Sequence, residues 1–109
     1  MITEYRVEGD RVVTIERVET LDDYSAAVQT HVDAVARKRR YENGFALAGY
    51  ATDPNAAYAD DAQSFINWRS AVWVTAFDAL DAVKSGAIPH PTIPELIAML
   101  PPPPSPSSP

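Results

Sequence analysis

The side chains best suited to chemistry are two histidines, His31 and His90, because the 109-residue chain contains no cysteine. Catalysis would need a nucleophile beside a base, a pair of carboxylates in a cleft or a set of metal ligands. His90 lies within Pro89-His90-Pro91, and its position does not form a chelating spacing with His31. Asp33 follows His31 by two residues, which places the two side chains on different faces of a helix. The histidines therefore predict neither an active site nor a metal site.

Acidic pairs and glycines are the remaining candidates for ligand binding. Asp22-Asp23 and Asp60-Asp61 lack the alternating oxygen ligands and central glycine of a calcium loop, and both pairs are typical of helix starts. The four glycines do not form a phosphate-binding loop. We therefore expect a protein that is not an enzyme and that uses no cofactor.

The charge of the chain narrows the range of partners. The formal net charge is -6, whereas binding to nucleic acid requires clustered lysine and arginine. The run Arg37-Lys38-Arg39-Arg40 would suit a phosphate site or an address signal, but cations are also favoured at a helix C-terminus, and we prefer that interpretation. No apolar stretch approaches the roughly 20 residues that span a bilayer, and the first residues lack the order of a secretion signal. We expect synthesis in a cytoplasm, with no nucleic-acid or membrane partner.

The N-terminal segment, which must be positioned by the rest of the chain, has the pattern of a β-hairpin. β-Branched and charged residues mix from Ile2 to Glu19, with Glu8-Gly9-Asp10 as turn-forming residues in the middle. The expected strands run from about Ile2 to Val7 and from about Val12 to Val18. Because an isolated hairpin is marginally stable in water, this one must lie on the helices, extend a partner's sheet or be partly disordered.

Two long helices are predicted to supply the core. Thr20, followed three residues later by Asp23, predicts a helix from about Leu21 to Arg40. A second helix, from about Ala56 to Ser85, is expected to end at Gly86. The apolar residues of each helix share one stripe, so the two helices can pack as an antiparallel pair. The core candidates are Val28, Val32, Val35, Phe65, Val72, Trp73, Ala76 and Leu80.

Two short helices are expected beside this pair. The small residues between Tyr41 and Pro54 predict a short helix bracketed by turns, in which Ala48 and Gly49 permit close approach to a neighbour. Thr92 and Glu95 form a capping-box pattern for a final short helix that proline stops.

The expected organisation is thus mainly α, in three parts. Residues 1–19 form a β-hairpin arm, residues 20–100 form a helical domain, and residues 101–109 form a Pro/Ser-rich tail that is disordered or polyproline II. With the folded part ending near Leu100, deletion of residues 102–109 is expected to leave the thermal stability nearly unchanged.

Five residues are candidates for partner binding. Arg69 falls in the middle of the apolar stripe, within reach of a cation–π contact with Trp73; its guanidinium either reaches solvent, bonds carbonyls of residues 44–51 or contacts a partner. Trp68 lies at the edge of the stripe, where its half-covered ring is either part of the core or an interface residue. Pro102, Pro103 and Pro104 belong either to an unstructured terminus or to a docking peptide.

A series of short strings runs through the helical region. The strings are His31-Val32-Asp33-Ala34, Arg37, Tyr41, Tyr50-Ala51, Ala62, Phe65, Trp68-Arg69, Ala71-Val72-Trp73, Pro91-Thr92, Leu96 and Leu100-Pro101. Their order resembles a family of small phage and prophage proteins encoded beside tail-fibre and baseplate genes, often as a C-terminal domain of unknown function. The likeness covers roughly residues 28–101, and its most specific part is Trp68-Arg69-x-x-Val72-Trp73. Arg40 departs from the family, which commonly has glycine before the tyrosine.

The resemblance implies a bacteriophage-tail context and carries no catalytic residues. One expected role is a structural protein of the virion tail, bound to baseplate or tail-fibre proteins, with self-association as a further option. The alternative is a tail-fibre assembly chaperone that is absent from the mature virion. The two arm-like ends favour the structural role, because a chaperone needs a broad surface that releases. A host-directed inhibitor or DNA mimic ranks last, because the acidic residues are spread along the chain.

Overall fold

The computed structural model describes residues 2–104, which form a β-hairpin followed by a helical body. The elements are β1 (Ile2–Glu8), β2 (Arg11–Arg17), α1 (Leu21–Lys38), α2 (Gly44–Ala48), a 3-10 turn (Gly49–Thr52), α3 (Ala56–Lys84) and α4 (Ile93–Met99). The predicted mainly α fold, with an N-terminal hairpin, a long helical pair and two short helices, is confirmed. The predicted disordered or polyproline character of residues 105–109 lies outside the described residues.

The hairpin is a regular antiparallel pair joined by a two-residue turn at Gly9 and Asp10. Its register runs from Ile2 opposite Arg17 to Glu8 opposite Arg11. Within the described residues, neither strand packs on a helix. Of the alternatives left by the sequence, packing of the sheet on the helices is therefore not the one observed.

Helix α1 begins at the predicted capping box and ends in a motif that was not predicted from the sequence. The Thr20 hydroxyl accepts from the Asp23 N–H, and the Asp23 carboxylate accepts from the Thr20 N–H at 2.8 Å. At the other end the Tyr41 N–H donates to the Ala36 carbonyl at 3.1 Å, which is the long bond of a Schellman motif. This motif ends α1 two residues before the expected Arg40 and places Arg40 in the left-handed region, with φ 72°.

Helix α2 contacts the long helices through a glycine. Asn43 caps α2 by accepting from the Ala46 N–H, and Asp33 accepts from the Gly44 N–H, both at 2.8 Å. A Cβ at Gly44 would lie 3.1 Å from Asp33 Oδ1 and 3.2 Å from Phe65 Cζ. A Cβ at Gly49 would meet nothing within 4 Å. The close approach expected at Gly49 therefore occurs at Gly44, because that residue faces the core.

The core lies where α1, α2 and α4 meet one face of α3. Its largest fully buried side chains include Tyr24, Phe65, Leu47 and Leu96. The buried Tyr24 hydroxyl donates to the Pro91 carbonyl at 2.6 Å, which ties α1 to the segment before α4. Of the core candidates predicted from the sequence, the structure buries Val28, Val32, Val35, Phe65, Val72, Ala76 and Leu80. The remaining candidate, Trp73, is partly buried and packs against this core.

The ordered packing continues past α4. The Trp68 indole N–H donates to the Pro101 carbonyl at 2.9 Å, and the Arg39 guanidinium donates to the Pro104 carbonyl. Residues 101–104 thus lie along the helices as a C-terminal strap. The helical body extends to Pro104 instead of ending near Leu100, because buried donors on α3 and at the end of α1 find carbonyl partners in the strap.

Candidate partner-binding surfaces

The relative burial of the two tryptophans of α3 is the reverse of the prediction. Trp68, expected to be half covered, is only 6% exposed and packs against the rings of His31 and Phe65, with both pairs of ring centroids 5.8 Å apart. Trp73, expected in the core, is partly buried at its margin. The buried face of α3 is therefore rotated toward Trp68, and as a partner-binding candidate Trp68 is corrected to a core residue with a satisfied N–H.

Arg69 lies over an aromatic ring, but not over the one expected. Its Cζ atom is 5.9 Å from the centroid of the Phe65 ring, which is itself fully buried. The side chain is half-buried. Among the described residues no hydrogen bond links it to residues 44–51. Arg69 covers the edge of the core through its ring contact, and its polar end remains available to solvent or to a partner.

The three candidate prolines have different surroundings. Pro102 and Pro103 are exposed, whereas Pro104 is half-buried and its carbonyl accepts from Arg39. Pro103 and Pro104 also line a hollow of about 200 Å³ with Val35 and Lys38. The first prolines of the tail are therefore part of the strap, and only the exposed rings of Pro102 and Pro103 face outward.

One face of the hairpin is apolar and exposed. The paired positions Tyr5–Thr14 and Val7–Val12 alternate along the strands, so their side chains share a face. Tyr5 is 74% exposed, Val7 70% and Val12 67%. The sheet has only two strands, so the outer backbone edge of each is unpaired within the described chain. We call this surface the hairpin face.

The hairpin is attached to the helical body through Arg17. Its guanidinium donates to both carboxylate oxygens of Asp23 in the capping box of α1, and it also pairs with Glu4 on the neighbouring strand. Hydrogen bonds from Arg17 and from the Thr20 N–H hold the pKa of Asp23 well below its usual range. This pair fixes how the hairpin leaves the body and orients the hairpin face.

A second exposed apolar surface lies on α3. Trp73 and Phe77 are one turn apart with ring centroids 5.7 Å apart, and Phe77 and the adjacent Val74 are both exposed. Within residues 2–104, Val74 and Phe77 are more than half exposed, whereas Trp73 packs in part against the core. The single apolar stripe expected from the sequence does not account for this surface, because apolar residues lie around more than half of the circumference of α3.

A polar cavity lies at the C-terminal end of α1. Arg39, Arg40, Tyr41, Tyr50 and Tyr58 line a space of about 370 Å³. The three tyrosine rings meet edge to face, at 5.4 Å between Tyr41 and Tyr50 and at 5.7 Å between Tyr50 and Tyr58. Sequence analysis missed this site, because the tyrosines are far apart in the chain and the basic run was explained by the helix dipole alone.

His31 borders a shallow apolar groove between α1 and α4. The groove has a volume of about 480 Å³ and is lined by Ile93, Ile97 and small residues of α1. Burial, and to a lesser extent the charge of Lys38, lowers the pKa of His31. Its ring contact is with Trp68, so in this structure the residue acts in packing.

Among residues 2–104, no group of histidine, aspartate and glutamate side chains is placed to hold a metal ion. None of the helices in that range is both long enough and apolar enough to cross a membrane. Comparison of the chain with protein-family models, with curated proteins and with solved structures finds no match.

Proposed function

We propose that this chain is a protein-binding component of a bacteriophage tail whose hairpin adds to a β-sheet of a baseplate or tail-fibre protein. The observation that carries the proposal is the hairpin face, where three large apolar side chains are each about two-thirds exposed or more. A two-stranded hairpin is marginally stable alone, so a partner sheet would supply the missing burial.

A sheet is the partner that fits this surface best. Each strand offers a free row of backbone N–H and carbonyl groups, which only another strand can pair along its length. The alternating apolar side chains of Tyr5, Val7 and Val12 would then pack on the same layer of the enlarged sheet. Arg17 holds the base of the hairpin on the helical body, and the other end of the hairpin docks on the partner.

The tail context is supported by the resemblance of the helical region to proteins encoded beside tail-fibre and baseplate genes. The role as a permanent virion component, located in the tail, is favoured over the assembly chaperone because a narrow arm suits insertion into a partner. Such contacts leave the helical body free for further protein contacts or self-association, and they require neither a nucleic-acid nor a membrane partner.

Mass spectrometry of gradient-purified particles from a lysate tests this role. We expect peptides of this chain in fixed ratio to baseplate or fibre proteins. If the chain is abundant in the lysate but absent from particles, the structural role is wrong and the chaperone becomes the better account.

Matched substitutions test the hairpin. Changing both Val7 and Val12 to threonine keeps the β-branched shape but adds polar groups to the hairpin face. Changing Val13, on the opposite face, to threonine is the control. We expect the double variant to be depleted from particles and the control to be incorporated normally. Equal incorporation of the two would show that the hairpin face is not the docking surface.

A further inference from the structure

The cavity at the end of α1, which we call the tyrosine pocket, combines one available cation with three phenols. Arg39 forms a wall: its side chain is 7% exposed and is paired with Asp61 and with the Pro104 carbonyl. Arg40 is exposed, and its guanidinium makes no ion pair or hydrogen bond with any residue that the structure describes. The charge that the pocket can offer to a ligand is therefore that of Arg40.

The backbone holds Arg40 at this position. Its φ of 72° lies in the left-handed region, where side chains other than glycine are disfavoured. Gly86 occupies the equivalent position at the end of α3, with φ 79°. A strained residue that keeps a large charged side chain at the mouth of a cavity suggests a functional reason for the side chain.

The tyrosines complete the chemistry of the pocket. Tyr50 and Tyr58 are 39% and 48% exposed, so their hydroxyls can reach a ligand. Burial, followed by the charge of the Asp61 carboxylate and a hydrogen bond to it, raises the pKa of Tyr41. The Tyr41 phenol thus already faces a carboxylate, and the hydroxyls open to a ligand are those of Tyr50 and Tyr58. Tyrosine and arginine are also the side chains that most often dominate binding at protein interfaces.

We propose that the tyrosine pocket binds a carboxylate side chain from an acidic segment of a partner protein. The Arg40 guanidinium receives the carboxylate, the hydroxyls of Tyr50 and Tyr58 donate to the same group, and the partner's backbone lies along the tyrosine rings. This site is separate from the hairpin face and does not depend on the docking proposed there.

The geometry favours a carboxylate over a phosphate. Phosphate sites usually combine several arginines or the N-terminus of a helix. Here the second arginine is already neutralised by Asp61, and the pocket lies at a helix C-terminus, where carbonyl oxygens disfavour high negative charge. A volume of about 370 Å³ is at the small end of the range for ligand sites, which suits one side chain and its neighbours.

The test is an NMR titration of the full chain with a hexaglutamate peptide blocked at both ends. We expect saturable shifts of the backbone amides of Tyr41, Tyr50 and Tyr58 that weaken as salt is added. A blocked hexaglutamine peptide and inorganic phosphate are the comparison ligands. Absence of saturable shifts, or equal shifts with hexaglutamine or phosphate, would overturn the proposal.

Two substitutions distinguish binding in the tyrosine pocket from nonspecific electrostatic attraction. Arg40→Gly removes the charge and relieves the left-handed conformation, so lost binding cannot be attributed to unfolding. Lys38→Gln removes a cation from the same helix end but outside the pocket. We expect Arg40→Gly to weaken hexaglutamate binding about tenfold or more and Lys38→Gln to change it far less. Equal losses would indicate nonspecific attraction and contradict a pocket.

Discussion

Arg40 and Gly86 occupy the same position in the Schellman motifs that end α1 and α3. They differ in the conformational free energy that a positive φ costs. Both follow the C-cap of a long helix and both have positive φ. Glycine adopts this conformation freely, whereas a side chain with a Cβ is disfavoured by about 1–2 kcal/mol. The hydrogen bonds of the motif and the packing around Tyr41 hold Arg40 there in spite of that cost.

Exchange of residue types at these two positions should move stability in opposite directions. We expect Arg40→Gly to raise the free energy of unfolding by up to about 1 kcal/mol and Gly86→Ala to lower it by about the same amount. Urea unfolding followed by circular dichroism measures both. A destabilised Arg40→Gly variant would mean that the arginine side chain contributes more to the fold than its strain costs.

The two tryptophans of α3 show why the burial of a single residue can be hard to predict from sequence. Apolar side chains cover more than half of the circumference of α3, so the helical period alone does not fix which stripe faces the core. Which stripe faces the core depends on a tertiary contact: the Pro101 carbonyl accepts from the Trp68 indole N–H. The sequence analysis placed Trp73 in the core and left Trp68 open between core and interface, whereas the structure buries Trp68 more deeply than Trp73.

Truncation of these two side chains should therefore have unequal effects. Trp68→Ala removes a ring that is 6% exposed and leaves a cavity, so we expect it to cost about 3–5 kcal/mol. Trp73→Ala removes a partly exposed ring and should cost about 1–2 kcal/mol. Chemical denaturation of both variants provides the comparison. Equal costs would show that the buried face of α3 is centred between the two.

At the scale of elements, the starts of the helices were easier to predict than the packing. The capping boxes of α1 and α4 were readable because each depends on two residues three positions apart. The hairpin and its turn followed from β-branched residues around Gly9-Asp10. The salt bridge that joins the hairpin to α1 involves Arg17 and Asp23, and the strand pattern did not indicate that contact.

This junction should make the position of the hairpin sensitive to acid. The pKa of Asp23 is lowered in the folded state, so its contribution to stability is complete above the ordinary carboxyl pKa of about 4 and is lost as pH falls below that value. We expect the amide resonances of β2 near Arg17 to keep their neutral-pH positions while carboxyls with ordinary pKa values of about 4 titrate, and to shift only at lower pH, because the pKa of Asp23 is lowered. NMR spectra recorded along a pH series provide the measurement.

Two carboxamide variants identify the group responsible. Asp23→Asn should reproduce the low-pH resonances at neutral pH and should lower the stability of the whole chain, because the capping box loses its carboxylate. Asp22→Asn is the matched control, since Asp22 is exposed and makes no side-chain hydrogen bond within residues 2–104. Retention of the neutral-pH spectrum by Asp23→Asn would contradict the role assigned to the Arg17–Asp23 pair.

The whole molecule is elongated, with extents of 59 × 38 × 20 Å, because the hairpin adds its length to a narrow helical body. Length and local residue patterns were enough to predict one small helical domain with an appended hairpin. They could not show that the body is closed by the strap of residues 101–104, since a proline-rich sequence carries no periodic signal for packing. That closure depends on individual hydrogen bonds from Arg39 and Trp68.

The strap gives a prediction that differs from the one made from sequence. Truncation after Pro101 removes the Pro104 carbonyl that accepts from Arg39 and uncovers Val35, which is 8% exposed. A buried guanidinium that loses a partner costs about 1–3 kcal/mol, so we expect a lower melting temperature instead of no change. Truncation after Pro104 retains these contacts and should leave the melting temperature of the full chain unchanged. If both truncations melt at the same temperature as the full chain, the strap does not stabilise the body, and the folded part ends at Leu100 as the sequence alone implies.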